Sequence, residues 1–260
     1  MFKINRKNNI IYLSVPSFER AGLTRHAFST RVGGVSTGEA ATMNFGSNRK
    51  DTEENIKKNF QLLFSAVGIG DRPPVMAGQV HGDGVYIAGE ADAGKRIAGA
   101  DALVTNVPGV ALCTFHADCV PLFFLDPVKR VIALAHSGWR GTRRNIAAKT
   151  IRNMEAAFGC RPSDLLAAIA PAIGVCHMEV GQEVAEEFDE KYITRTDKPR
   201  LDLPLLCRDQ ITEAGVSARR VTMSNICTYC RNDLFYSYRG DNQKTGSMAA
   251  VSMLTEENDG

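Results

Sequence analysis

Two short runs in the middle of the chain, Leu122-Phe123-Phe124-Leu125 and Val131-Ile132-Ala133-Leu134-Ala135, contain no polar residue. A strand with one wet face alternates apolar and polar side chains, so runs without alternation need cover on both faces. The chain must therefore build layers on either side of them. Ala102–Thr105 and Val110–Phe115 are further strand candidates, flanking the turn Asn106-Val107-Pro108-Gly109. Other strands are expected in the N-terminal segment and at Leu165–Ile169, Val221–Ile226 and Ala249–Leu254. The spacing of Ile56, Phe60, Leu63, Phe64 and Val67 predicts a helix over Asp51–Val67. Further helices are expected over Arg143–Phe158, ended by Gly159, and over Gln182–Phe188 and Leu203–Ala214. Strands outnumber what βαβ repeats would give, so we expect one α+β domain of mixed sheets over residues 1–260. No GxGxxG or P-loop occurs.

Composition narrows the function classes. Lys and Arg number 31 against 29 Asp and Glu, a net charge of +2, which is too balanced for a nucleic-acid or membrane-surface protein. No apolar run approaches the roughly 18 residues of a membrane span. The basic N-terminus is interrupted by Ser14 and Pro16, so it reads as strand and not as a signal peptide. Seven cysteines, irregularly spaced, then read as reduced thiols of a cytoplasmic protein.

Polar residues gather where apolar strands end: Gln79-Val80-His81-Gly82, His116-Ala117-Asp118-Cys119 and His136-Ser137-Gly138-Trp139-Arg140-Gly141. Strand ends are where sites are commonly built. His81, Cys119 and His136 would suit a zinc ion with an open fourth position, although their spacing matches no short zinc signature. A buried Cys119 beside two backbone-bonded histidines is the plainer reading. Asp118, next to Cys119, would orient a ligand, move a proton or serve structure alone. Gln79 would share a face with His81 in an extended segment and reach substrate. Arg31 opens the glycine turn Arg31–Gly38, whose N–H groups could form an anion-binding concavity. Arg140 precedes a helix, a favoured phosphate position. Each arginine could equally pair with a local carboxylate. Cys227-Thr228-Tyr229-Cys230 is a lone CxxC followed by the strand-like Leu234–Tyr238; without a second ligand pair it reads as structural thiols.

The ordered set FSTRVGGVST, Asn44-Phe45-Gly46, GQVHGDGV, GADALVTNVPGVALCTFHADCVPLFFLDP, IALAHSGWRGT, APAIGVCHMEVGQEV and CTYC…DLFYSYRGD…TGSMA closely resembles the laccase-domain proteins. Those were first called polyphenol oxidases and later described as purine nucleoside phosphorylases. The resemblance, from about Phe28 to Leu254, implies mixed sheets packed face to face with helices outside. It implies zinc on His81, Cys119 and His136; thiolate and imidazole would also hold copper. From the residues themselves, Asp118 is taken as a catalytic candidate beside them, and Arg31, Asn44, Gln79 and Arg140 as candidate substrate-binding residues. The implied activity is phosphorolysis of adenosine, inosine, guanosine and methylthioadenosine, with adenosine deamination, so the partners expected are nucleoside and phosphate. The chain departs from the family pattern at His116, Ser137, Gly240 and Ser247. Arginines are usual at the last two, which bears on phosphate contacts. Competing readings are a copper phenol oxidase, a cysteine hydrolase with Cys119 as nucleophile, and a peptidoglycan-editing or partner-binding factor. Five histidines are too few for a multicopper cluster. A monomer and a dimer are both compatible with the sequence.

Overall fold

A computed structural model of the protein describes residues 1–47, 51–195 and 197–256. The strands are β1 (Lys3–Lys7), β2 (Ile10–Ser14), β3 (Thr24–Ser29), β4 (Val75–Gly78), β5 (Val85–Ile87), β6 (Arg96–Ala98), β7 (Ala102–Thr105), β8 (Ala111–His116), β9 (Val120–Asp126), β10 (Val131–Ser137), β11 (Leu166–Ile169), β12 (Ile193–Thr194), β13 (Arg200–Leu201), β14 (Val221–Met223) and β15 (Met248–Leu254). The helices are α1 (Pro16–Ala21), α2 (Glu53–Val67), α3 (Trp139–Arg143), α4 (Ile146–Phe158), α5 (Gln182–Ala185) and α6 (Leu203–Glu213). Among the described residues no helix is long and apolar enough to cross a membrane.

One sheet runs β1-β2-β3-β15-β8-β4-β6 and a second β14-β11-β9-β10-β7-β5. Both are mixed, as expected. In the second, β9 is antiparallel to β10 and β11, whereas β5 is parallel to β7. In the first, β15 lies antiparallel between β3 and β8, and β4 is parallel to β8.

The apolar runs explain the layering. On β9, Leu122 and Phe124 face outward with Val131, Ala133 and Ala135 of β10. They meet Ile146, Ala147 and Ile151 of α4 and Leu206 and Ile211 of α6. The alternate residues, Phe123, Leu125, Ile132 and Leu134, face inward onto Phe28, Leu112 and Ala250 of the first sheet. That sheet's far face, with Ala27, Cys113, Ala249 and Val251, is covered by Leu63 and Phe64 of α2. The result is helix, sheet, sheet, helix. Each fully buried large apolar side chain stabilises it by about 1.5–3 kcal/mol.

Helix ends follow local chemistry. Thr52 caps α2 by accepting from the Asn55 N–H, Glu53 and Glu54 fill the first turn, and Gly68 closes it at φ 82°. Some expectations need correction. The helix expected from Arg143 starts at Ile146, because Asn145 sits at φ 59° and caps it through Ala148 N–H. α5 stops at Ala185 and β14 at Met223. Leu234–Tyr238 is not a strand. Phe235 and Tyr236 are buried from a turn, where their apolar rings plug the inner layer.

Candidate active site

The two sheets exchange strands at one end of the molecule. The segment after β4 crosses from the first sheet to β5 in the second, and Ala117–Cys119 crosses from β8 to β9. The end of β10 lies beside β9, with His136 opposite Pro121. These three strand ends bring His81, Cys119 and His136 together, with ligand atoms all within 4.8 Å of one another. Cys119 Sγ is 4.0 Å from His81 Nδ1.

Asp101, which the sequence reading did not single out, organises this triplet. Its buried carboxylate accepts from His136 Nδ1 at 2.9 Å, from the N–H groups of Val80 and His81 at 3.1 Å each, and from Gly82 N–H at 2.8 Å. Burial alone would raise its pKa. The bond and charge of His136, with the N–H groups of Gly82 and Val80, outweigh burial and hold the carboxyl below its usual range. A charged carboxylate on Nδ1–H fixes the tautomer and leaves Nε2 of His136 as the ligand atom.

His81 and Asp118 are non-glycine residues in left-handed backbone, at φ 58° and 82°. That conformation costs roughly 1–2 kcal/mol for an L-residue. The bond from His81 N–H to Asp101 offsets it at one position. At the other, Asp118 accepts from Thr228 Oγ1 at 2.6 Å and Arg239 N–H at 2.8 Å.

The donor set fits a metal ion. Burial opposes ionisation of Cys119, but the neighbouring His136 and His81 prevail and bring its pKa down to about 6. Burial likewise opposes the charge on His136, yet the Cys119 thiolate and Asp101 raise its pKa to about 9, so a cation bound between them would take the place of the Nε2 proton. Space is reserved for the donors as well. A Cβ on Gly138 would stand 2.8 Å from His81 Nδ1 and 3.1 Å from Cys119 Sγ, so only glycine admits the two side chains there.

The triplet lies in a cavity of about 940 Å³, within the range of small-molecule sites. Phe115, Trp139 and Tyr238 supply aromatic wall, and Arg96 and Arg239 supply charge. Arg96 lies over the Phe115 ring and donates to Ala77 O, while Arg239 donates to Glu179 O. Neither arginine was singled out from sequence: Arg96 sits in a segment without a site motif, and in SYRGD the reading fell on Gly240, the neighbour of Arg239.

The structure brings Gln79 and Asp118 to this cavity with the triplet, but gives both amide atoms of Gln79 to the backbone of Phe115. Gln79 thereby ties the end of β4 to β8. Asp118 ties the C-terminal loops to the turn, and burial raises its carboxyl against the bonds from Thr228 and Arg239. Asn44 is buried behind the wall, holding Gly46 and Ser247, which line the cavity.

Arg31 and Arg140 lie outside the lining. Arg31 binds Asn232, lies 3.7 Å from Asp241 and covers the Tyr236 ring. The N–H groups of Val32, Gly33, Gly34 and Val35 in its glycine turn are spent on Thr30, Thr42 and Asn59, so those four are not open to an anion. Arg140 stacks on Trp139, and α3 is a five-residue helix, too short to present an N-terminal phosphate site.

A family model described as multi-copper polyphenol oxidoreductase laccase matches residues 25–255. Purine nucleoside phosphorylase YfiH of Escherichia coli (strain K12) is 35% identical over 250 residues, 93% of this chain and 98% of the relative. A purine nucleoside phosphorylase of Bacteroides thetaiotaomicron is 32% identical over 271 residues, 98% of this chain and 99% of the relative. The crystal structure of YlmD from Geobacillus stearothermophilus superposes with a TM-score of 0.91 at 30% identity, covering 98% of this chain and 99% of that one.

Proposed function

The chain belongs to the family described as multi-copper polyphenol oxidoreductase laccase, and from that premise we propose that it is a zinc-dependent purine nucleoside phosphorylase with adenosine deaminase activity. The observation that carries the reading is the convergence of His81, Cys119 and His136, braced by Asp101, on a cavity with aromatic and cationic walls. Adenosine, inosine, guanosine and methylthioadenosine are the proposed substrates, with phosphate as nucleophile.

Phosphorolysis breaks the bond from C1′ to the purine nitrogen and forms one from C1′ to a phosphate oxygen. The site must gather anionic charge beside C1′ and place the base. His81, Cys119 and His136 would hold the zinc ion, which when bound supplies Lewis acidity to an oxygen nucleophile at neutral pH. Arg96 and Arg239, in place of Arg31 and Arg140, are the arginines available to phosphate. Phe115, Trp139 and Tyr238 offer apolar faces for the purine and ribose. Asp101 keeps His136 in one tautomer throughout.

The ligand inventory supports a single ion over a multicopper cluster. His26 is bonded to Val15 and Thr24, and His116 to Thr114 and the Cys119 carbonyl. His177 lies with Cys176, Cys227 and Cys230, away from the triplet, which leaves two imidazoles and one thiolate at the cavity. One observation favours a second reading, a cysteine hydrolase: the lowered thiol of Cys119 beside a histidine oriented by Asp101. The test is to incubate zinc-loaded protein with adenosine, with and without phosphate, and follow adenine, ribose 1-phosphate and inosine. Ribose 1-phosphate that forms only with phosphate and is lost in His81→Ala is the expected result. No nucleoside turnover by the loaded protein would overturn the reading.

A further inference from the structure

The CxxC does have a second ligand pair, on a loop distant in sequence. After β11 the chain runs through Ala172, which forms a parallel bridge with Cys227, so Cys176-His177 comes to lie against Cys227 and Cys230. The ligand atoms of these four residues all lie within 4.8 Å of one another. Cys176 Sγ is 3.7 Å from Cys230 Sγ, and His177 Nδ1 is 3.4 Å from Cys230 Sγ and 4.0 Å from Cys227 Sγ.

Those separations discriminate. A disulfide needs its sulfurs about 2.05 Å apart. Sulfur at about 2.3 Å and nitrogen at about 2.0 Å from a tetrahedral zinc stand roughly 3.5–3.8 Å from each other. The separations of 3.7 and 3.4 Å fall within about 0.1 Å of the second arrangement, the 4.0 Å one is slightly longer, and all are far beyond disulfide distance. Supporting groups are also in place. The Gly174 N–H donates to Cys227 Sγ at 3.3 Å and so helps hold that sulfur in place. The Tyr229 ring stacks on His177, with centroids 3.9 Å apart and planes within 14°, and so fixes the imidazole.

We propose that Cys176, His177, Cys227 and Cys230 form a second, structural zinc site, with three thiolates and one imidazole closing the coordination sphere. Its place in the fold gives it work to do. The Cys176 loop contributes Ile173 and Met178 to the cavity wall, and Thr228, inside the CxxC, bonds the carboxylate of Asp118 next to Cys119. The ion would pin two otherwise irregular loops that shape the cavity without touching substrate.

The test is a metal count that needs no nucleoside. Protein purified without added metal is expected to hold one zinc that survives Cys119→Ala and is lost in Cys230→Ser. The Cys230→Ser chain could fold poorly, so a second measurement uses Cys119→Ala loaded with cobalt(II). It should show thiolate-to-cobalt charge transfer and the intense visible bands of a tetrahedral site. Overturning results are Cys119→Ala protein without bound zinc and without the tetrahedral cobalt spectrum, or a Cys176–Cys230 disulfide in protein purified under anaerobic conditions.

Discussion

Replacing Asp101 by Asn should weaken both the fold and the metal site, for one geometric reason. The carboxylate serves four donors from two oxygens: Oδ1 accepts from His136 Nδ1 and His81 N–H, and Oδ2 from Val80 and Gly82 N–H. An amide has one acceptor oxygen and an NH₂ group. Whichever way it turns, NH₂ faces two donors that lose their partner, one buried (His136 or Gly82) and one part-exposed (His81 or Val80). The buried one costs about 1–3 kcal/mol and the other about 0.5–1.5 kcal/mol, so the variant should be about 2–4 kcal/mol less stable. That is a large share of the roughly 5–15 kcal/mol that holds a domain together. The orientation that keeps the His136 bond sacrifices Val80 and Gly82, which sets the backbone of His81 loose. Disrupting such a support for a metal ligand typically costs 10–100-fold in metal affinity. Urea unfolding of the metal-free protein gives the first quantity, and competition with a chromogenic chelator gives the second. An Asp101→Asn chain within about 0.5 kcal/mol of wild type, binding zinc equally well, would refute the role assigned to Asp101, since effects that small are typical of neutral surface changes.

Three further outcomes are expected. Gly138→Ala should remove the metal of the His81 centre, because the added Cβ falls 2.8 Å from His81 Nδ1; elemental analysis of the folded variant should read one ion per chain fewer than wild type, and an unchanged count contradicts it. His26, buried at 4% exposure, has its pKa pushed down from 6.5 to about 4 by burial, against the pull of Glu19. Below pH 6.5 the unfolded chain takes up this proton and the folded one does not, so its contribution is lost as pH falls from 6.5 towards 4. The loss reaches about 3 kcal/mol, and comparing the acid unfolding of wild type and His26→Gln should show a flatter curve in the variant. Arg239→Ala and Arg96→Ala should each raise the KM for phosphate about tenfold and leave that for nucleoside nearly unchanged, a loss of about 1.4 kcal/mol. Arg31→Ala should lower Tm without that split, and steady-state kinetics with thermal melts distinguish the two patterns.

The layers were legible because the runs Leu122–Leu125 in β9 and Val131–Ala135 in β10 have no polar residue on either face, and the helices because α2 carries helical spacing with clear ends. The metal triplet was legible only as three strand ends, since nothing local says that residues so far apart in sequence will meet. Asp101 was not singled out within GADALVTN, because its meaning lies in four donors brought from two other segments. The second ligand pair of the CxxC escaped for the same reason, being delivered by a single bridge between Ala172 and Cys227. At Arg31 the local signal and the packing point different ways. A glycine turn has N–H groups to offer an anion, but here the side chains of Thr30, Thr42 and Asn59 take them first. Local sequence shows which donors exist, and only packing shows which are already engaged.

The most direct test of the central claim is phosphate-dependent release of hypoxanthine from inosine by zinc-loaded wild-type protein and by Cys119→Ala, with ribose 1-phosphate measured in the same reactions. The account predicts equal amounts of the two products from wild type, none without phosphate, and loss of both in the variant together with the metal of the His81 centre. Turnover that persists undiminished in Cys119→Ala after that metal is gone would contradict it.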